Sequence, residues 1–360
     1  MRYEIPRGAS SGQGVRKVLV SGTAAVLVSL TGGGLALAAE APIAGGGGVG
    51  VSQLQSANGS RIVDVASDNG RNFRVTVYSA AMNRNIPVEV QHSPAPGKAP
   101  TLYLLNGGGG GEDAATWQRQ TDVLDFLARR HVNVVQPVGG KFSYYTDWDR
   151  PDPVLGVNKW RTFLTEELPP LVDDQFRGSG VNAIAGLSMA ATSVLQLATA
   201  RPDLYKSVAA YSGAPGISDP VGRSLVETVV SAGGGDVTNM YGPPGSPGWA
   251  ANDPCVQAEK LRGKHIFISA GTGMPGIHDQ LGDPHLIAPG PIALSNQIIV
   301  GGLIETEVHK STIKFRNRLE SLGISATYDV DRSGSHSWGY WQDMFKESWP
   351  VLAAGLGVPR

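Results

Sequence analysis

The sequence predicts an α/β protein, one mostly parallel sheet covered by helices on both faces. Two patterns carry the prediction. From residue 99 onward, short apolar runs of strand length alternate with longer helix-forming stretches, and that alternation folds into a parallel sheet joined by crossover helices. In addition, Gly186-Leu187-Ser188-Met189-Ala190 lies where an apolar run, 181–185, gives way to a helix-forming stretch. A serine is thus placed on a sharp strand-to-helix turn.

The elements follow in order. Residues 73–78 and 86–91 alternate as antiparallel strands do, and ordered sequence is expected to start near Ile62. Then come strand 99–105, helix 113–130, strand 132–138, helix 159–174, strand 181–187, helix 189–200, strands 207–212 and 265–270, helix 302–321, strand 325–330 and helix 338–356. Residues 233–254 are too rich in Gly and Pro for regular structure and are expected to be an irregular excursion, a candidate wall or lid for an apolar groove. No internal repeat interrupts 62–360, which reads as a single domain.

The N-terminus reads as an export signal. Basic residues run to Lys17, an apolar core follows from Val18, and Ala36-Leu37-Ala38 supplies small residues for cleavage, so 1–38 is expected to be a signal peptide and 39–61 a glycine-rich flexible segment. No later run is apolar enough to span a bilayer. Net charge is −1 with 17% charged residues, which gives no electrostatic case for nucleic acid. One cysteine, Cys255, excludes an internal disulfide and reads as a quiet buried thiol. No His, Cys or carboxylate spacing suggests a metal ligand set, and no organic cofactor is implied. Gly45, Gly47 and Gly50 match a dinucleotide-binding spacing, but no strand and helix flank them.

The chemistry-bearing residues fall into a set. Ser188 on the turn is a nucleophile elbow, whose small neighbours Gly186 and Ala190 let the serine project above the sheet. His336, in Ser333-Gly334-Ser335-His336-Ser337-Trp338, is the one histidine of seven placed on a loop after the last strand, where a general base belongs in the order Ser, acid, His. The other six are read as ordinary structural histidines. Asn106 to Gly111 opens a core strand into a glycine loop, which can bring backbone N–H groups to an anion with no Cβ in the way. For the acid, the spacing leaves Glu305 and Glu307 both open.

Taken together, the runs LYLLNG (102–107), PVGG (137–140), YTDW (145–148), KWRTFL (159–164), GLSMAA (186–191) and HSWGYW (336–341) resemble the antigen 85 mycolyltransferases, over roughly residues 102–356 and in the family's order. The resemblance implies a secreted α/β-hydrolase that moves a mycolyl group from trehalose monomycolate to another hydroxyl. It implies Ser188 as nucleophile, His336 as base, Glu305 as acid, and the Met189 and Gly108 amides as oxyanion donors. Asn106, Gly109 and Trp338 fall at substrate-binding positions. Where trehalose-processing members have Asp-Gly-Leu-Arg, this chain has Asn106-Gly107-Gly108-Gly109, and the cysteine pair of some members is absent; the glycine-rich loop suggests a corynebacterial-type or otherwise divergent branch.

The expected partners are trehalose monomycolate and an acceptor hydroxyl on a trehalose glycolipid, arabinogalactan or protein, at the cell envelope. Two other functions fit the same residues. A secreted carboxylesterase would use water as acceptor, and a surface adhesin would use the fold for binding alone.

Overall fold

The computed structural model describes residues 50–360; the expected export signal at 1–38 and residues 39–49 lie outside it. Nine strands form one sheet in the order β1-β2-β3-β5-β4-β6-β7-β8-β9. The first three, β1 (Arg61–Ser67), β2 (Asn72–Ser79) and β3 (Arg84–Gln91), make an antiparallel meander, and β3 runs antiparallel to β5 (Asn133–Pro137). From β5 through β4 (Ala99–Leu105), β6 (Gly178–Leu187), β7 (Tyr205–Tyr211), β8 (His265–Ser269) and β9 (Thr327–Asp329), every pairing is parallel.

β4 explains why the sheet is covered on both sides. All seven of its residues are buried, and alternate side chains enter opposite cores. Tyr103 and Leu105 join the face that also holds α5 (Met189–Ala200). Leu102 and Leu104 join the other face, with Trp117 and α11 (Trp338–Leu356).

Several boundaries differ from the sequence reading, each for a local reason. Helix 113–130 is two short helices, α1 (Trp117–Gln120) and α2 (Val123–Leu127). Between them Thr121 is extended and its hydroxyl donates to the Trp117 carbonyl, which closes the first helix. Helix 159–174 becomes α3 (Trp160–Thr162), a π turn (Phe163–Glu167) and α4 (Leu168–Gln175). Pro169 and Pro170 cannot donate to the preceding turn, and the wider turn ahead of them absorbs the lost bonds. The region 233–254 is not wholly irregular: α6 (Pro220–Ala232) is followed by α7 (Thr238–Tyr241) and α8 (Pro247–Ala251), with Tyr241 and Trp249 buried edge to face at 5.4 Å. The helix expected at 302–321 is extended upstream. α9 (Pro291–Asn296) and a π turn (Gln297–Gly301) lead directly into α10 (Gly302–Ser321).

The packed chain also starts before Ile62. Ser60 is fully buried, and the wholly buried Glu167 accepts bonds from Asn58 Nδ2 (2.5 Å), Ser79 Oγ (2.6 Å) and Ala81 N (2.9 Å). Three donors offset the cost of burying that carboxylate. β1 itself had no clear signal, because a bulge between Ile62 and Asp64 breaks its alternation. Among the described residues no helix is long and apolar enough to cross a membrane.

The parallel strands and α5 meet closely at Gly213, where a Cβ would lie 2.5 Å from the Ala191 Cβ and 2.9 Å from the Thr192 backbone nitrogen. Gly213→Ala is expected to lower stability by about 1–3 kcal/mol through overpacking. Urea denaturation followed by fluorescence measures it; an unchanged midpoint would show that α5 shifts freely on the sheet.

Candidate active site

β6 ends at Leu187 and α5 begins at Met189, so Ser188 is the whole turn. Its φ of 54° and ψ of −124° lie in a region L-residues avoid, at a cost on the order of 1–3 kcal/mol. The surroundings hold it there. Ser188 N donates to the Tyr211 carbonyl at 2.9 Å, tying the turn to β7. A Cβ on Gly186 would come within 2.9 Å of the Ala190 Cβ and carbonyl oxygen, so the chain can double back only with glycine.

His336 and Glu305 converge on this serine. His336 Nε2 is 2.8 Å from Ser188 Oγ, and His336 Nδ1 is 2.7 Å from Glu305 Oε2. Glu305 lies in the first turn of α10 and is fully buried; its other oxygen, Oε1, accepts from Ser212 Oγ and from Gly271 N, both at 2.7 Å. Both carboxylate oxygens are therefore occupied, and a buried carboxylate with donors on each side stays in place. Glu307 is elsewhere, paired with Lys310 on the helix surface at 2.6 Å. The choice that spacing left open between the two glutamates is thus resolved in space: Glu305 alone meets His336.

Sequence reasoning missed Ser212. It follows β7 with φ 55°, donates to Glu305 and accepts from Trp341 Nε1 at 3.0 Å. Trp341 in turn packs edge-on to the His336 ring, with centroids 4.9 Å apart. The available signal was its position, a small polar residue directly after a central strand.

The glycine loop approaches the elbow as expected. A Cβ on Gly107 would lie 2.8 Å from Leu187 Cδ1 and 3.5 Å from the Ser188 Cβ. A second glycine loop backs it: Gly139 N donates to Gly110 O and Phe142 N to Gly108 O, each at 2.8 Å. The N–H groups of Gly108 and Met189 have no acceptor among the described residues, and Met189 N also stands at the positive end of α5.

The three residues at substrate-binding positions fare differently. Asn106 is 1% exposed and its Oδ1 accepts from Trp117 N at 3.1 Å, so it caps α1 rather than facing solvent. Trp338 is likewise a core residue, 6% exposed and packed edge to face on Trp117 and Trp341; its indole belongs to the second core because α11 turns that face toward the sheet. Gly109 is half-buried at the mouth, where a Cβ would meet the Asp113 carboxylate at 2.2 Å. An acidic side chain thus covers the place a larger residue would fill.

The first residue of the 233–254 segment packs beside the glycine loop. Phe142 lies between Gly108 and Gly233, whose Cβ would be 2.4 Å from its ring. The segment is anchored by Asp152, which accepts from Asp236 N and Asn239 Nδ2 at 2.9 Å each. Burial would raise the Asp152 pKa, but these bonds and those from Leu155 N and Val154 N bring it down to about 2. Cys255 is half-buried, and burial followed by the charges of Asp253 and Asp219 pushes its thiol up to about 12, far from a nucleophile's range. Among the described residues no group of three or more His, Cys, Asp or Glu is arranged to hold a metal.

Comparison with known proteins places the chain among esterases and acyltransferases. A family model described as putative esterase matches residues 79–351. The diacylglycerol acyltransferase/mycolyltransferase Ag85A of Mycobacterium leprae is 34% identical over 291 residues, covering 78% of this chain and 82% of the relative. Its counterpart Ag85B from the same organism is 33% identical over 293 residues, covering 79% and 84%. Among solved structures, MPT51 of Mycobacterium tuberculosis superposes with a TM-score of 0.63 at 25% identity, covering 77% of this chain and 96% of that one.

One histidine read as ordinary is more than that. His278 bridges Asp283 (2.9 Å) and Asp343 (3.0 Å), edge-on to Tyr340 and His285. Burial lowers its pKa, but hydrogen bonds and charge from the two carboxylates outweigh that, and the net shift is upward. A folded pKa above the unfolded value stabilises the protein fully below about pH 6.5, and the benefit is lost as pH rises through the folded pKa. His278→Gln is therefore expected to destabilise more at about pH 5.5 than at about pH 8.5. Urea midpoints at the two pH values test this, and an equal loss at both would remove the charge from the argument.

Proposed function

The chain belongs to the antigen 85 family of mycolyltransferases, within the putative esterases, and is an enzyme of ester and acyl-transfer chemistry; from that premise we propose that it is a serine acyltransferase working through a Ser188 acyl-enzyme. The observation that most supports this reading is the unbroken line of hydrogen bonds from Glu305 through His336 to Ser188, 2.7 and 2.8 Å long.

In the proposed reaction His336 Nε2 takes the Ser188 proton as Oγ attacks the ester carbonyl of a mycolyl sugar such as trehalose monomycolate. Glu305 accepts the Nδ1 proton as a hydrogen bond, fixes the tautomer and stabilises the imidazolium. The Gly108 and Met189 amides bind the oxyanion. His336 then gives its proton to the departing sugar oxygen, leaving the acyl group on Ser188. An acceptor hydroxyl, of a trehalose glycolipid, arabinogalactan or protein, loses its proton to His336 and attacks the acyl-enzyme, and Ser188 leaves with that proton. Phe142 and residues 233–254 limit water at the mouth. Export through residues 1–38 to the cell envelope belongs to the same proposal.

Hydrolysis is the second reading, favoured by a specific feature. At Gly109 no side chain reaches toward an acceptor sugar, and Asp113 occupies the space instead. Chromatography of products with and without added trehalose separates transfer from hydrolysis.

Ser188→Ala and His336→Ala are each expected to cut acyl transfer by a factor on the order of 10³ or more, without adding when combined. Glu305→Gln is expected to cost far more than Glu307→Gln. Initial rates on a short-chain ester measure all four, and near-parent turnover in a folded Ser188→Ala protein would end the acyl-enzyme reading.

The acceptor preference has its own test. In Gly109→Arg, the new side chain displaces the Asp113 carboxylate from the space beside Gly109, and its guanidinium offers a sugar charge-assisted bonds roughly twice as strong as neutral ones. The share of acyl product on trehalose is expected to rise. A folded Gly109→Arg variant with an unchanged product ratio would place acceptor choice outside this loop.

A further inference from the structure

The antiparallel half of the sheet carries a polar row on the face that the second core leaves. Arg74 on β2, Glu89 on β3 and Gln136 on β5 stand directly opposite one another, and Asn72 pairs with Gln91 two residues along. Residues two apart on a strand share a face, so the row continues the face on which Val134, the partner of Gln91, joins the second core. Gln118 of α1 and Leu124 and Asp125 of α2 bound the row on one side. Sheet and helices together line a pocket of about 330 Å³, within the size range of small-molecule sites.

This pocket is rich in unpartnered acceptors. The side-chain oxygens of Gln91, Gln118 and Gln136 are buried, and none has a hydrogen-bond partner among the described residues. Gln136 is only 3% exposed, and a buried amide oxygen without a donor is costly. Gln118 gives its Nε2 to Glu89 Oε2, which fixes its oxygen as the unpartnered end. The charge has the same sense. Asp68, Glu89 and Asp125 line the pocket against one arginine, Arg74, which is already paired with Asp68 at 3.0 Å. Burial, followed by the charge of Asp68, raises the Glu89 carboxyl above its ordinary pKa, and Arg119 and Arg74 offset only part of the rise. Glu89 is a carboxylate short of a positive partner.

We propose that this pocket binds a small organic cation, a primary amine, whose ammonium group donates to the glutamine oxygens and pairs with Glu89. An ammonium has three N–H donors and no acceptor, so one group answers both the unpartnered oxygens and the surplus negative charge. A neutral polyol would meet the oxygens and leave Glu89 unpaired, and an anion would be repelled by the acids. A hard metal ion needs several close oxygen ligands, and among the described residues no group of three or more His, Cys, Asp or Glu is arranged for one. The pocket shares no residue with the Ser188 site, and β4 stands between β5 and the strand that ends at the elbow. Binding there is independent of the acyl-transfer chemistry.

Calorimetric titration of the full chain with diaminobutane, an amine at each end, and with butanediol, its uncharged counterpart, tests the site. The diamine is expected to bind, and the diol to bind at least about tenfold more weakly. Raising salt from about 0.05 to about 0.5 M is expected to weaken the diamine. Glu89→Gln and Gln136→Leu are each expected to weaken it about tenfold, with turnover on a short-chain ester held at the parent value. Without ligand, Gln136→Leu is expected to be at least as stable to urea as the parent, since it removes an unpartnered buried amide. Asp125→Asn, exposed on α2, is expected to weaken the diamine about twofold, as a rim charge should.

No binding of the diamine at millimolar concentration overturns the proposal. So does an unchanged affinity in folded Glu89→Gln and Gln136→Leu, which places the diamine elsewhere on the surface, and so does equal affinity for the diol, which assigns the pocket to a hydroxyl ligand. Should neither of those two variants fold, the diamine-induced rise in melting temperature decides: no rise in the parent, or the same rise in Asp125→Asn, ends the proposal. Because titration needs no turnover, it reads the same in Ser188→Ala and stands apart from the acyl-enzyme chemistry.

Discussion

The strained turn at Ser188 is the constraint on which the site depends. A single residue reverses the chain from β6 into α5 at positive φ, and it can do so only because Gly186 leaves room for Ala190 and because Tyr211 on β7 takes the Ser188 amide. The strain is offset by the surrounding sheet, whose central strands are buried on both faces. The glycine loop after β4 packs on the same turn, so that the nucleophile and both unpartnered amides belong to one rigid corner.

The buried carboxylate is the second constraint. Glu305 sits in the first turn of α10, where an acidic group is favoured by the helix dipole, but its full burial would be costly without partners. Ser212 and Gly271 supply them on one oxygen and His336 on the other. Three separate stretches of chain, after β7, after β8 and after β9, thus meet at one carboxylate. Trp341 closes the arrangement from α11, holding Ser212 by its indole N–H and packing edge to face with the imidazole.

The long connection between β8 and α10 carries two opposite chemistries on its two sides. Its acids and histidines are tied inward to α11 and to the His336 loop, while its aliphatic side chains face out. The inward network fixes the residue preceding His336.

Much of this was legible in the sequence because it is written in local patterns. Apolar runs of strand length gave the parallel strands β4 to β8, and the small residues around Ser188 marked the elbow, since a tight turn selects residue size at fixed offsets. His336 was legible from its place after the last strand. The bulged β1 carried no such signal, because its alternation is broken, and β9 is shorter than the run 325–330 that marked it.

What only the tertiary structure decided are relations between residues far apart in the chain. Glu305 and Glu307 are alike to any local pattern, and only the rotation of α10 turns one to His336 and the other to Lys310. Asn106 and Trp338 had the sequence positions of ligands, yet backbone capping and core packing claimed both. Ser212 became visible only when separate loops came together. A sequence records the size and polarity of each side chain and its spacing from its neighbours, which fixes local structure; which face is buried, and against what, is set by contacts that exist only after the chain has closed on itself.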